Sequence, residues 1–399
     1  GRESQKYGRE NLAHMPRLPA LLLALIAALP ALPAADAARG RGTAAPVPAF
    51  TVETGTIDGA LYTALVPRTW NRRLLLIAHG LRDTEMPLTA DLNPEHFAYR
   101  TLVEEGWIVA KSSYRRNGVI VADAISDLDA LRARLAAAHG EPARVIVEGD
   151  SKGGLIALLL AEREPDTVTR SARQVDGVVA IDPEATMREN NRPVSLSLHP
   201  GVPVVLVANQ SELPAAQGYA ANARAATPDR QPVFLRVSRD GHVNVNQQER
   251  LIALQMLNRW LDTSRDDLPR PSRGGTAVDI SIDLGRQPTQ VTMHGDGRGF
   301  DARVLEVTGN YGNVYVNVQP DDFIAAGIKS LDWFQVKVGD RIYRTRYGNY
   351  FDNVAPGEWV AFGSADGFTW VGRNNNNAAR TADLKVGDTI TFRAYDPVR

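Results

Sequence analysis

Six short runs between residues 74 and 237 are almost wholly apolar: 74–78, 107–110, 144–147, 177–181, 203–208 and 233–237. A strand with one wet face alternates apolar and polar side chains. Runs this uniform suit strands buried on both faces, as in the interior of a parallel sheet. The stretches between them read as helices. In 122–138, Ile125, Leu128, Leu131 and Leu135 recur at steps of three and four, one stripe of a helix, and 155–161 and 251–261 behave alike. Alternation of this kind from about 50 to 262 predicts an α/β domain: a mostly parallel sheet covered by helices on both faces.

After residue 262 the pattern changes. Residues 263–276 (TSRDDLPRPSRGGT) carry two Pro, two Gly and many charges with no apolar period, and are read as a linker. Beyond it, strand-like runs at 301–307, 314–318, 334–338, 359–362 and 389–394 are punctuated by Gly and Asn, predicting a small β-rich domain over 277–399. At the other end, Met15-Pro16-Arg17 precedes an unbroken apolar run from 18 to 29. Pro30 and the small-x-small pattern Ala35-Asp36-Ala37 follow. Twelve apolar residues suit a signal-peptide core and fall short of the roughly 20 that span a bilayer. Residues 15–37 are therefore read as a signal peptide, implying a periplasmic or secreted protein without a membrane span. Residues 1–14 are set aside as an artificial or mis-set start, and 38–49 are a flexible lead-in.

The chemistry concentrates at Gly149-Asp150-Ser151-Lys152-Gly153, a G-x-S-x-G between an apolar strand and the apolar helix opening at Gly154-Leu155-Ile156. A sharp strand-to-helix turn needs small neighbours and sets the serine hydroxyl at a helix N-terminus, where negative charge is favoured. A serine hydroxyl is inert at neutral pH without a base. The chain has seven His. His242, in Asp240-Gly241-His242 after the last parallel strand, comes from the rim where active sites of open α/β sheets gather, and is assigned as general base. His96 and His199 fall in loops or helix edges and are read as solvated, and His79 as a turn residue. The acid that orients the imidazole is Glu212, the first carboxylate after the strand at 203–208, with Asp182 as the alternative. The oxyanion needs backbone N–H donors already in place. Lys152, next after the nucleophile, supplies one. Leu81, behind the unhindered Gly80, supplies the other. Arg115 and Arg116, after the strand at 107–110, are candidates for binding a substrate carboxylate or are plain surface arginines.

His79-Gly80, Gly149 to Gly153 and Gly241-His242, in that order, give residues 50–262 a resemblance to the α/β-hydrolase family. The resemblance implies a cofactor-free hydrolase of esters or related acyl compounds. Asp150 and Lys152 depart from the His or Gln and Met or Leu that many members place there. The connection 182–203 is short where lipases often insert a lid, implying an open cleft for bulky or polymeric substrates. The stretch 309–318, with Gly357-Glu358, Ser364 to Gly367, Arg373, Asn377-Ala378-Ala379 and Gly387-Asp388, resembles the C-terminal domain of S-adenosylmethionine hydroxide adenosyltransferase and fluorinase. That resemblance implies a nucleoside-pocket wall at Ser364, Arg373, Asn377 and Ala379. The family's catalytic N-terminal domain has no counterpart here, so the module reads as a β-barrel-like accessory domain.

Composition closes off other chemistry. With no Cys there is no thiol nucleophile or thiolate metal site, and 45 basic against 46 acidic residues offer no basic excess for nucleic acid. No H-E-x-x-H or regular calcium-loop spacing occurs, so no metal and no cofactor are expected. The expectation is an exported serine hydrolase acting on a small-molecule or polymeric ester through an acyl-enzyme. A serine peptidase of prolyl-oligopeptidase type and a non-catalytic nucleoside- or glycan-binding protein are the alternatives. Nothing in the sequence speaks to oligomeric state.

Overall fold

The computed structural model describes residues 49–163, 175–227, 231–263, 281–283, 289–308, 312–364 and 367–395 of the 399. The residues read as leader, 15–37, and 264–276 of the linker lie outside these.

The chain enters through an antiparallel hairpin, β1 (Phe50–Ile57) and β2 (Ala60–Pro67), turning at Asp58-Gly59. Both turn residues have positive φ, 47° and 89°, the backbone that makes Asp-Gly a hairpin signal. β3 (Arg73–Ala78), β4 (Ile108–Ser112), β5 (Arg144–Asp150), β6 (Gly177–Ile181), β9 (Val204–Asn209) and β10 (Val233–Val237) then pair in parallel. A small hairpin, β7 (Met187–Glu189) with β8 (Arg192–Val194), lies between β6 and β9. β11 (Ser281–Asp283) adds a last parallel strand beside β10. The sheet order is β1-β2-β4-β3-β5-β6-β9-β10-β11. This is the mostly parallel, twice-covered sheet that the α/β-hydrolase resemblance implies.

The helices are α1 (Phe97–Glu104), α2 (Val121–His139), α3 (Lys152–Glu162), α4 (Leu213–Ala226) and α5 (Gln247–Asp262). α2 and α5 hold the two longer periodic stretches, while α1 and α4 were not expected. α4 is Ala-rich, so its apolar face at Leu213, Ala216, Tyr219, Ala220 and Ala223 carries too little bulk to stand out as a stripe. α3 is apolar all round and nearly wholly buried, which suits the central helix of the domain rather than a surface one. The connection 182–203 carries the β7–β8 hairpin. One further reading is corrected. The stretch after the linker does not pass directly into a second domain, because 281–283 first extends the large sheet.

The second domain begins at β12 (Thr292–Met293) and contains β13 (Gly299–Val307), β14 (Val314–Val316), β15 (Trp333–Val338), β16 (Arg341–Tyr347), β17 (Trp359–Gly363), β18 (Thr369–Arg373) and β19 (Thr389–Ala394). β13 pairs with both β14 and β19, so the strands from β13 to β19 close on themselves as a barrel. Phe300, Phe323, Phe334 and Phe392 stack in its interior. Two short helices, α6 (Pro320–Ala325) and α7 (Ala378–Ala382), complete it. β16 and β18 were missed because Arg341, Arg344 and Arg346 break the apolar pattern of one and Gly372 that of the other.

Sheet domain and barrel share one compact unit. Arg239, just past β10, is buried and spans both domains. It donates to Glu249 Oε1 and Oε2 at 2.9 and 2.6 Å in α5, and to both Asp321 oxygens at 3.1 Å in α6. Gly367 of the barrel presses on the backbone of Asn246 and Gln247, where a Cβ would lie 2.8 Å from Asn246 Cα. Replacing Asp321 with Ala leaves a buried guanidinium with one carboxylate instead of two. Removing one partner of a buried pair costs about 3–5 kcal/mol, and the retained Glu249 points to the lower end. We expect Asp321→Ala to lower stability by about 3 kcal/mol in urea unfolding. An unchanged midpoint would show that the domains are not held together by this cluster.

Candidate active site

The bend from β5 into α3 is set by crowding. A Cβ on Gly149 would overlap the Gly153 carbonyl, and one on Gly153 would overlap the Ala78 carbonyl. On Gly154 it would come within 2.9 Å of Pro183 Cα. Only glycine fits around this turn. Ser151, between them, takes φ 54°, ψ −119°, a sparsely populated conformation that costs a side-chain-bearing residue about 1–3 kcal/mol. Its backbone is locked by three bonds: its N–H donates to Ile181 O at 2.9 Å, and its carbonyl accepts from Leu155 N at 3.1 Å and Glu184 N at 3.2 Å.

The loop after β10 brings His242 to this serine, with Nε2 2.8 Å from Ser151 Oγ. Glu212, at the N-terminus of α4, faces the other ring nitrogen, with Oε1 3.6 Å from Nδ1. Glu184 Oε1 lies 4.0 Å from Nε2. The His242 loop is strained: Gly241 has φ 129° and Val243 φ 55°, the latter rare for a β-branched residue.

A polar lattice holds that strain. Asn209, the last residue of β9, accepts from Asn244 N at 2.8 Å through Oδ1 and donates through Nδ2 to Asn244 O and Arg239 O. Ser211 Oγ donates to Gly241 O and accepts from Gly241 N, both at 2.9 Å. Asp182 accepts from Asn209 N at 2.8 Å and from Val243 N at 2.7 Å, one bond per oxygen. Its carboxylate therefore braces the backbone on either side of the imidazole, while Glu212 is the one aligned with Nδ1. Asn209, Ser211 and Glu184 were not singled out from the sequence. The available signal was their place just beyond the carboxyl ends of β9 and β6, the rim where sites form in such sheets.

The strand-end loop at Gly80 lies against Ser151, since a Cβ there would stand 3.5 Å from Ser151 Cβ. Leu81 follows, its side chain exposed. Lys152 opens α3, so its N–H belongs to the first turn, whose donors have no partner inside the helix. The Lys152 side chain is buried, donates to Gly118 O at 3.0 Å and lies 5.0 Å from the centre of the Tyr114 ring. Burial, with repulsion from Arg82, pulls its pKa down to about 8. His79 is also buried, stacked on Tyr114 at 4.1 Å, with ring nitrogens facing Gly80 O and Ser113 O. Burial, then Arg82, depress its pKa well below the usual value. It is a structural residue of the turn.

Other candidates are occupied elsewhere. Arg115 grips Asp127 Oδ1 through Nε at 2.8 Å and Nη2 at 2.6 Å, and Arg116 holds Asp123 Oδ2 through Nε at 2.9 Å and Nη2 at 2.5 Å. Both guanidinium groups are thus held by α2, which fits the alternative reading as surface arginines. His96 is not solvated: it is buried, stacked on Tyr99 at 4.0 Å, and accepts from Tyr99 N to cap α1. His199 is exposed, as expected. In the barrel, Arg373 donates to Gly357 O and Thr381 Oγ1, Asn377 caps α7 through Arg380 N, and Ala379 N–H donates to Gly312 O. Ser364 is buried in a turn closed by bonds to Phe368 and Gly367. These four hold turns together. Residues 309–311 and 365–366 of the resembling stretch lie outside the described residues. Among the described residues no cluster of His, Asp and Glu could hold a metal ion, and no helix is long and apolar enough to cross a membrane.

Two cavities adjoin the site. One, of about 550 Å³, lies in front of His242 and Glu212. The other, of about 860 Å³, lies under the β7–β8 hairpin, lined by Leu158, Leu196, Leu198 and Tyr219, and shares Glu184 with the first.

Residues 303–391 match the family of the SAM hydroxide adenosyltransferase C-terminal domain. No curated protein matches the sequence. Over 54% of its length the chain is similar to the whole of a Klebsiella pneumoniae subsp. pneumoniae structure described as a dienelactone hydrolase (15% identity, TM-score 0.42). It is similar over 54% to 94% of Thermogutta terrifontis esterase 2 (13%, TM-score 0.41). It is similar over 58% to 44% of Pyrococcus horikoshii acylaminoacyl peptidase (9%, TM-score 0.40).

Burial raises the Asp182 carboxyl from 3.8 to about 7 against the pull of its two N–H donors. From pH 4 to 7 the folded chain keeps a proton that the unfolded chain has released, so this group makes stability fall as pH rises. Asp182→Asn removes the titration. Wild-type stability should therefore decline relative to the variant across that window, read by urea unfolding at stepped pH. A constant difference would mean that the two amides hold Asp182 ionised throughout.

Proposed function

We propose that this protein is a serine hydrolase that cleaves a carboxylic ester through an acyl-enzyme. The observation that supports this best is the 2.8 Å contact between Ser151 Oγ and His242 Nε2 at a strained strand-to-helix turn. In this reading Ser151 Oγ attacks the acyl carbon while His242 Nε2 takes its proton, and the amides of Leu81 and Lys152 receive the oxyanion. The tetrahedral species collapses, the C–O bond to the alcohol breaks, and the proton on Nε2 passes to the leaving oxygen. Water then enters, gives a proton to His242, attacks the acyl carbon and releases the acid as Ser151 regains its proton. Glu212 holds Nδ1–H and offsets the imidazolium charge in both half-reactions. The 3.6 Å separation would shorten when the ring becomes charged. No metal or organic cofactor enters any step. With residues 15–37 as an export signal, the enzyme would work in the periplasm or outside the cell, on a small-molecule or polymeric ester.

A panel of p-nitrophenyl esters of graded acyl length, beside peptide anilides, tests the bond type. Ser151→Ala and His242→Ala should each lower kcat by about 10⁴-fold or more, and Glu212→Gln by about 10²–10⁴-fold with the fold intact. A fluorophosphonate should phosphonylate Ser151 alone, adding the reagent's mass less HF as fluoride leaves. Turnover surviving Ser151→Ala would end the proposal, and faster cleavage of anilides than of esters would move it to peptides.

A further inference from the structure

The cavity in front of His242 is not made by the sheet domain alone. Glu184, Ser211, Glu212, Asp240 and His242 form one side. Ser330, Asn349 and Tyr350, all from the barrel, form the other. We propose that the barrel completes the active site: these three residues wall the subsite for the alcohol portion of the ester and select alcohols rich in hydroxyl groups. The inference rests on the serine-hydrolase reading.

The side of the site follows from proton transfer. His242 must hand its proton to the leaving oxygen, so the alcohol lies on the imidazole side of the serine, away from the oxyanion donors. The cavity reaches that side, since it is lined by His242 and by Glu184, whose Oε1 lies 4.0 Å from Nε2. Its chemistry follows from the lining. Glu184, Glu212 and Asp240 are acceptors, Ser330, Asn349 and Tyr350 can accept or donate, and among the described lining residues there is no Lys or Arg. Such a surface satisfies several hydroxyl donors, leaves an alkyl chain with nothing to bond, and repels a carboxylate.

The barrel wall is built and anchored. Asn353 Oδ1 accepts from Asn349 N at 2.6 Å and Tyr350 N at 3.2 Å, fixing the loop after β16. Leu331 N donates to Tyr347 O at 2.7 Å and Tyr347 N to Asp332 O at 2.8 Å, tying the Ser330 turn to the same strand. The barrel in turn holds the segment leading into the His242 loop, because Asp321 binds Arg239. Burial, then Glu184 and Glu212, raise the pKa of Tyr350, placing its phenol within the field of the site's carboxylates and keeping it a donor at neutral pH.

Four acetate esters separate the possibilities: glyceryl acetate, propyl acetate, acetylcholine and the ester of glycolate. On the full-length protein, kcat/KM for glyceryl acetate should exceed that for propyl acetate by about tenfold, with the glycolate ester slowest. Tyr350→Phe combined with Asn349→Ala should bring the glyceryl-to-propyl ratio toward one, chiefly through KM, and Ser330→Ala alone should lower it partway. Thermal unfolding identifies a variant that fails to fold, in which case the single Ser330→Ala substitution carries the test. A wild-type ratio near one, or a ratio that both folded variants retain, overturns the proposal. A gain for acetylcholine with none for glyceryl acetate overturns the hydroxyl assignment in favour of charge. Wild type that cleaves none of these esters nor any p-nitrophenyl ester, and takes up no fluorophosphonate, fails the serine-hydrolase reading instead.

Discussion

The close approach of α3 to the ends of β3 and β5 governs the rest of the molecule. Gly149 and Gly153 face backbone carbonyls at distances that leave no space for a methyl group, so β5 must bend at Ser151 and α3 must start there. That bend holds Ser151 at φ 54° and turns its side chain toward the rim. The strain is affordable because the surroundings over-determine it: α3 is buried nearly all round, and both backbone groups of Ser151 are bonded.

The imidazole that meets the Ser151 hydroxyl comes from 91 residues downstream. The His242 loop cannot be held by regular structure, because its N–H and C=O groups point neither along a strand nor down a helix. Side chains from neighbouring strand ends do this instead. Asn209 bonds both backbone groups of Asn244, Ser211 bonds both of Gly241, and Asp182 takes the N–H of Val243. Asp182 gives one oxygen to Asn209 N and the other to Val243 N, whereas Glu212 faces Nδ1 of His242.

Much of this was legible in the residues, and the exceptions have physical causes. The parallel strands showed because strands buried on both faces are apolar throughout, and the turn at Ser151 showed because glycines flank it. Ser151, His242 and Glu212 came together as their positions at strand ends suggested. The bracing residues did not show, since Asn209 and Ser211 look like ordinary loop residues until the loop they bond is located in space. The exposure of His96 was misjudged for a similar reason: a cap that stacks on Tyr99 has no signature beyond its place before a helix. Arg115 and Arg116 stood near the site in sequence, yet Asp127 and Asp123, in the second and first turns of α2, claim them.

The docking of the barrel follows a different energetic logic from that of the core. Burying Arg239 with two carboxylates removes three charges from water, and such clusters contribute little net stability compared with apolar packing of the same volume. What they supply is direction, because a guanidinium fork satisfies its partners in only one geometry. Arg239 lies three residues before His242, and one of its partners, Glu249, also closes the capping box that starts α5 through Asn246. The same side chain therefore sets the entry of the last helix, the path of the His242 loop and the orientation of the barrel. An apolar contact at this point could slide by an ångström without cost, whereas this one cannot, and the wall presented by Ser330, Asn349 and Tyr350 keeps its register with the imidazole.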